Sequence, residues 1–369
     1  MEEQWEEVLR VLRGNPGLLR EKFGKLGIVS SGGGFRGRIV LGWLEPLLEL
    51  LAECDIMIDY LAAVSVSAPM LARLSEAAVP GDYRRLFGHM SNMWNGIEKA
   101  GPSYVFSFSL KSLVNFLNGK PLLDDNATLR KLVEHFDACK SVASKTRFDV
   151  FAVNDVTKLH VAISNRDRRV IERPSLLADA VVGSMSLVPI FQRTTVDSEA
   201  HTDGGFVSLE GAVAAGCDTI FVFFPYPRHY RKPPQSDGFI SRHLGTLEEA
   251  ASASATFLRD RDRAEMKYWK MILGLRAEVA ALKAELRDAV GDGEKKNWLE
   301  RIIGRFPVLR KILPEDGSAD VAIPTIVELY ADDLPETLQL KDFKRGDFML
   351  AHGPAVRQMK KAIAKIVLG

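Results

Sequence analysis

Residues 25–37 read KLGIVSSGGGFRG, and the fold follows from how they divide. Lys25 to Ser31 is a short apolar run that spells a buried strand, and it passes directly into Gly32, Gly33 and Gly34. Gly37 to Ala52 then places Ile39, Val40, Trp43, Leu47, Leu48 and Leu51 at helical spacing. The same strand-to-helix pattern returns at Asp59 to Val64, DYLAAV, followed by helical spacing from Met70. Asp218 to Phe224, DTIFVFF, is a nearly continuous apolar run, typical of a strand covered on both faces. Thr146 to Asp155 and Lys158 to Ser164 alternate like paired strands. Leu176 to Met185 reads as a helix, Ile326 to Tyr330 as a late strand, and Gly353 to Leu368 as a closing helix. Residues 1–23 form one or two amphipathic helices split at Asn15-Pro16-Gly17, and 82–146 is mostly helical. Strands alternating with helices predict an α/β layer fold with a mostly parallel sheet.

Composition narrows the function. The 369 residues are 46% hydrophobic and 26% charged, which excludes a disordered or low-complexity scaffold. A net charge of +1 argues against a dedicated nucleic-acid binder. Cys54, Cys139 and Cys217 are odd in number and widely spaced, so no disulfide framework or CxxC metal site is expected. The acidic start MEEQWEEVLRVLR is wrong for a signal peptide, and no apolar run reaches membrane-spanning length. The expectation is a cytoplasmic protein, soluble or peripheral to a membrane.

Three segments can carry chemistry. Residues 32–37 satisfy G-x-G-x-x-G between a strand and a helix. Such glycines let backbone N–H groups converge on an anion at a helix N-terminus, either a pyrophosphate or the oxyanion of an acyl-transfer intermediate. A dinucleotide site also wants an acidic residue after the second strand, whereas Asp55 and Asp59 precede its apolar residues. Ser65, in Ala62-Ala63-Val64-Ser65-Val66-Ser67-Ala68, stands at a strand-to-helix turn with small neighbours, the logic of a nucleophile elbow. Ser67 is its rival, disfavoured because Pro69 follows so closely, and helix capping is the plain alternative for both serines. His201-Thr202-Asp203-Gly204-Gly205 supplies a carboxylate able to act as general base for a serine, and His201 invites a triad. The other histidines, His160 among them, have no catalytic context in the sequence.

In this order the three segments resemble the patatin-like phospholipases, with their D-G-G-G-x-R-G loop, G-x-S-x-G elbow and D-G-G/A segment. Asp59 stands six residues before Ser65, as that family's strand-opening aspartate often does. Lys120 to Arg130 is similar to the family's loop and L-R-x-L helix, and Ala180 to Phe191, AVVGSMSLVPIF, to its P-x-F segment. Resemblance covers roughly residues 25–225 and more faintly 321–369. It departs at the loop's leading Asp, here Ser31, and at both elbow glycines, here Ala63 and Ser67.

The resemblance implies a three-layer α/β/α sandwich and a lipid acyl hydrolase. It implies Ser65 as nucleophile and Asp203 as base in a dyad without His201. Backbone N–H groups of Gly32, Gly33 and Gly34 would form the oxyanion hole, and Arg36 would brace the loop or attract a phosphate headgroup. No metal or cofactor is implied. Two other classes stay open: a catalytically impaired lipid- or protein-binding module, and a nucleotide-binding oxidoreductase built on the same glycine loop.

The expected organisation is an N-terminal helical segment (1–24), a catalytic core (25–246), a helical addition (247–320), and a strand and helix returning to the core (321–369). Within the addition, Tyr268, Ile272, Leu275, Val279, Leu282 and Leu286 follow a coiled-coil-like spacing, which suggests self-association through 268–290. Residues 294–313 combine Trp298, Ile302, Ile303, Phe306 and Leu309 with a net charge of +4, as an interfacial helix on anionic lipid would. The expected partners are a lipid or ester substrate, a membrane surface and a second copy, and no nucleic acid.

Overall fold

The computed structural model describes residues 2–33, 36–100, 118, 120, 121, 123, 126–188, 190–228, 260–275, 277–278, 323–332 and 345–369. Its centre is an eight-stranded sheet of β1 (Leu26–Ser30), β2 (Tyr60–Ala63), β3 (Arg147–Asn154), β4 (His160–Ser164), β5 (Thr194–Val196), β6 (Glu199–Asp203), β7 (Thr219–Phe224) and β8 (Thr325–Tyr330). The order is β5-β6-β3-β2-β1-β7-β8, with β4 paired to β3. β3, β2, β1, β7 and β8 run parallel, and β4, β5 and β6 add antiparallel pairings at one end. The fold class is α/β with a mostly parallel sheet, as the alternation predicts.

Each strand divides its side chains between two apolar layers, because neighbouring residues point to opposite faces. Leu26, Ile28, Leu61, Ala63, Phe148, Val150, Phe221 and Phe223 enter the larger layer. It is covered by the helices Glu2–Gly14, Gly17–Phe23, Gly37–Glu53, Ala68–Leu74, Asp82–Ala100, Ser175–Met185 and Arg345–Leu368. Val29, Tyr60, Ala62, Phe151, Ile220, Val222 and Phe224 enter the smaller layer on the opposite face, with Ala212 of the helix Glu210–Ala214 and with Met266, Trp269 and Ile272 of the helical stretch 260–275. β1 and β7 are buried along their whole length, which explains their unbroken apolar runs.

Polar ties set the strand register. Asp59 Oδ2 accepts the N–H of Leu26 at 2.8 Å, and the Asp59 N–H donates to the Leu26 carbonyl at 2.9 Å. Asp218 Oδ2 accepts the N–H of Lys25 at 2.7 Å. These aspartates therefore fix where β1 starts against β2 and β7, which aligns the far ends of all three strands.

The helical stretch 260–275 differs from its sequence pattern. Its core-facing residues are Met266, Trp269, Ile272 and Leu273, whereas Tyr268 is 51% exposed and Leu275 36% exposed. Packing on the sheet selects the face that also carries Asp262 and Glu265, described below. The remaining seam positions, Val279, Leu282 and Leu286, lie outside the described residues, as does the whole of 294–313. The sequence pattern also missed β5 and β6. They are short, and Glu199-Ala200-His201-Thr202-Asp203 carries no apolar alternation. Among the described residues no helix is long and apolar enough to cross a membrane.

Candidate active site

The site forms where β1 and β2 end side by side. β2 stops at Ala63, Val64 stays extended, and the chain turns through a single tight helical turn at Ser65–Ser67 into the helix Ala68–Leu74. Ser65 has φ +56°, left-handed backbone on a residue with a side chain. That conformation costs about 1–2 kcal/mol and persists only where neighbours hold it. Ser184 supplies the hold. Its hydroxyl accepts the Ser65 N–H at 2.9 Å and donates to the Phe151 carbonyl at 2.6 Å. Two such bonds contribute about 1 kcal/mol each, enough to offset the strain. Ser184 lies in the segment AVVGSMSLVPIF, but no sequence signal marked this residue within it.

Ser67 has a different environment. It is fully buried, its hydroxyl accepts from Ser30 Oγ at 2.9 Å and donates to the Ser31 carbonyl at 2.8 Å. Ser67 thus ties the elbow to the end of β1, whereas Ser65 keeps solvent access.

The glycine loop packs directly on the elbow. A Cβ on Gly32 would stand 2.8 Å from Ser65 Cβ and 3.4 Å from Ser65 Oγ, so only glycine allows this approach. Among the described residues, neither Gly32 nor Gly33 gives its N–H to a backbone acceptor. The Gly33 carbonyl accepts the Arg36 N–H at 3.2 Å, and Arg36 is the residue before the helix Gly37–Glu53. The N-terminus of that helix therefore lies beside Ser65, where its dipole favours negative charge. Gly34 and Phe35 lie outside the described residues.

Asp203 reaches the elbow through sheet topology. The Ser65 hydroxyl lies close enough to this carboxylate to lower its pKa. The Gly205 N–H donates to Asp203 Oδ1 at 2.8 Å, and the Asp203 N–H donates to the Ser186 carbonyl at 3.1 Å. Ser65 and Asp203 are both partly exposed as residues. Protein nevertheless crowds the carboxyl, and this desolvation pushes it up to about 6 while the Ser65 and Gly205 donors pull it down. It is therefore ionised at neutral pH yet basic enough to accept a proton.

His201 does not join this pair. It is buried, its Nδ1 lies 2.9 Å from the Glu199 carbonyl, and no hydrogen bond links it to Ser65 or Asp203 among the described residues. The histidine that supports the site is His160. Its ring stacks between Phe151 and Phe206, with centroids 4.9 and 4.0 Å away. Burial pushes His160 down to about 4, so the ring is neutral. Its Nε2 stands 2.9 Å from the Phe206 carbonyl, which can only accept, so Nε2 carries the proton. This bond fixes the turn that follows Asp203. The sequence held no signal for it, because the stack joins β3, β4 and the Gly-Gly turn.

A buried carboxylate missed by the sequence reading completes the surroundings. Asp262 accepts hydrogen bonds from Ser31 Oγ and Tyr226 OH at Oδ2, and from the Val207 N–H at Oδ1, 3.4 Å away. Among the described residues no group of three His, Cys, Asp or Glu side chains could hold a metal ion.

Comparison with known proteins bears on this geometry. Residues 28–212 match the family model described as patatin-like phospholipase, a span of half the chain. No curated protein matches the sequence. Among solved structures the chain is similar to VipD from Legionella pneumophila, with 11% identity and a TM-score of 0.36, over 91% of this chain and 67% of that one.

Proposed function

The chain belongs to the patatin-like phospholipase family, and from that premise we propose that it hydrolyses acyl esters of lipids with Ser65 as nucleophile and Asp203 as general base. The observation that carries the reading is the placement of Ser65, on its left-handed turn, next to a desolvated Asp203 carboxylate at the end of β6. A serine is a weak nucleophile until a neighbouring base takes its proton.

In the first half-reaction Ser65 Oγ bonds to the ester carbonyl carbon as its proton passes to Asp203. The carbonyl oxygen becomes an oxyanion, facing the N–H groups of Gly32 and Gly33 and the start of the helix Gly37–Glu53. One such donor is worth about 2.7–4 kcal/mol in other acyl-transfer enzymes. Collapse of the intermediate breaks the ester C–O bond, and Asp203 returns the proton to the leaving alcohol. In the second half-reaction Asp203 takes a proton from water as that water attacks the acyl-enzyme, and Ser65 leaves reprotonated. Each half-reaction returns Asp203 to its carboxylate form.

Three features support Ser65 over Ser67: its left-handed backbone, its solvent access and its link to Asp203. Arg36, at the entrance to the helix, is assigned to bracing the loop or meeting a phosphate headgroup. Gly34 is assigned to the oxyanion hole with Gly32 and Gly33. Residues 294–313 are assigned to peripheral contact with anionic lipid. Salt-sensitive sedimentation with anionic vesicles, lost in a 294–313 deletion, tests that contact.

The experiment for the whole reading is labelling with a serine-directed fluorophosphonate, combined with hydrolysis across ester chain lengths and phospholipid classes. Wild type is expected to be labelled at Ser65 and to release fatty acid. A chain that binds lipid yet is neither labelled nor hydrolytic would be a binding module instead.

A further inference from the structure

We propose that Asp262 is a positioning residue for this site, holding the glycine loop and the segment after Asp203 in fixed relation so that oxyanion donors and base face Ser65 together. The proposal deepens the hydrolase reading and rests on it for its catalytic consequence.

Three parts of the chain converge on this one side chain. Ser31 directly precedes Gly32 of the glycine loop. Val207 lies four residues beyond Asp203. Tyr226 follows β7, which pairs with β1 along its whole length. All three donate to Asp262, which is 1% exposed. Neighbours on the same helical stretch reinforce the arrangement. The Arg261 guanidinium lies 4.6 Å from the Phe206 ring centroid, and Glu265 accepts from Ser208 Oγ at 2.7 Å. Glu265 is itself oriented by Trp269 Nε1 at 2.8 Å. Met266, Trp269 and Ile272 seat the stretch in the apolar layer below.

Physical cost argues that this carboxylate has a purpose. Burying a carboxylate is expensive unless hydrogen bonds compensate it. Burial pushes Asp262 up to about 7, while the Ser31, Tyr226 and Val207 donors oppose that shift and the Glu265 charge adds to it. An apolar residue here would pack the helix without that cost but could not accept from three donors on separate segments. At the start of the glycine loop the Ser31 hydroxyl donates to Asp262. Asp262 lies 231 residues further along the chain, so this bond joins segments distant in sequence.

The test uses the full chain with Asp262→Ala, Asp262→Asn and Ser31→Ala. Amide hydrogen exchange is read at 31–33, at 204–209 and, as a control, at 219–224. Asp262→Ala is expected to speed exchange in the first two segments together and to leave the control unchanged. Its kcat and fluorophosphonate labelling rate on Ser65 should fall about tenfold or more, with KM within about twofold. Asp262→Asn keeps one oxygen for both hydroxyls but sets its NH2 against the Val207 N–H, so it should speed exchange at 204–209 while 31–33 stays near wild type, with a smaller loss of kcat than Asp262→Ala. Ser31→Ala should loosen 31–33 alone, and it carries the test if Asp262→Ala does not fold. Unchanged exchange in both segments, or an Asn variant as impaired as the Ala variant, overturns the proposal. Wild type without hydrolysis or labelling overturns the hydrolase reading instead, and paired loosening of the two segments would still stand for the clamp.

Discussion

Ala63 and Asp203 follow one another along the same edge of β3. Ala63 pairs with Val150 and Asp203 with Ala152, while β4 occupies the opposite edge over Asp149 to Val153. β2 therefore leaves the edge at the elbow, and β6 takes it up from the other direction. The end of β6 is brought against the residue two positions after Ala63, which is Ser65. Sheet pairing, rather than any local motif, makes the two side chains neighbours.

Ser65→Ala is expected to abolish hydrolysis and covalent labelling while the fold remains. Ser65→Gly should be equally inactive but more stable in urea by about 1 kcal/mol, because glycine adopts φ +56° without the penalty. Ser67→Ala should lose stability through its two buried hydrogen bonds yet keep its labelling. Labelling lost in Ser67→Ala but kept in Ser65→Ala would reverse the assignment.

Asp203→Asn should lower kcat by about 10²–10⁴, since it preserves shape and removes the proton acceptor. In wild type, kcat/KM should rise with pH through about 6 and then level off, because the base works only when ionised. The linked stability has the opposite trend. The folded carboxyl is raised from 3.8 to about 6, so its stabilising contribution is complete below about 4 and lost as pH rises through about 6. Asp203→Asn should consequently unfold at higher temperature than wild type at pH 8, and a lower melting temperature there would contradict the assigned shift.

Gly32→Ala places a methyl 2.8 Å from Ser65 Cβ. A displacement of the loop or serine by about 1 Å should cost about 10²-fold in kcat/KM. Circular dichroism and melting temperature should stay near wild type, which separates misplacement from unfolding. Full activity in Gly32→Ala would mean that the loop does not approach the serine.

Ser184→Ala leaves the Ser65 N–H without its acceptor, at a cost of about 1–3 kcal/mol. The elbow should relax, and fluorophosphonate labelling should slow more than substrate binding weakens. Unaltered labelling kinetics would show that the elbow holds its shape without Ser184.

His201→Ala should stay within about tenfold of wild type in kcat/KM, a barrier change of roughly 1.4 kcal/mol. The residue is buried against Gly183, where a Cβ would stand 3.4 Å from His201 Cβ, so the variant should melt earlier. Collapse of activity without loss of stability would point to a triad.

Local pattern in the sequence determined the parallel core and half of the site. The apolar runs of β1, β2 and β7 report strands covered on both faces, and helical spacing from Gly37 reports the helix that follows the glycine loop. Those signals are local because burial of one face or two repeats every few residues. The elbow and glycine loop were legible for the same reason, each being one strand-to-helix turn. Tertiary structure alone decided which acidic and polar groups meet them. β6 is short and polar, so nothing in its spacing announces that it takes over the edge vacated by β2 and carries Asp203 to Ser65. Ser184, His160 and Asp262 act through hydrogen bonds across 119, 46 and 231 residues of chain. A hydrogen bond between distant segments leaves no period in either one, so only the packed sheet and its covering helices bring those groups to the serine.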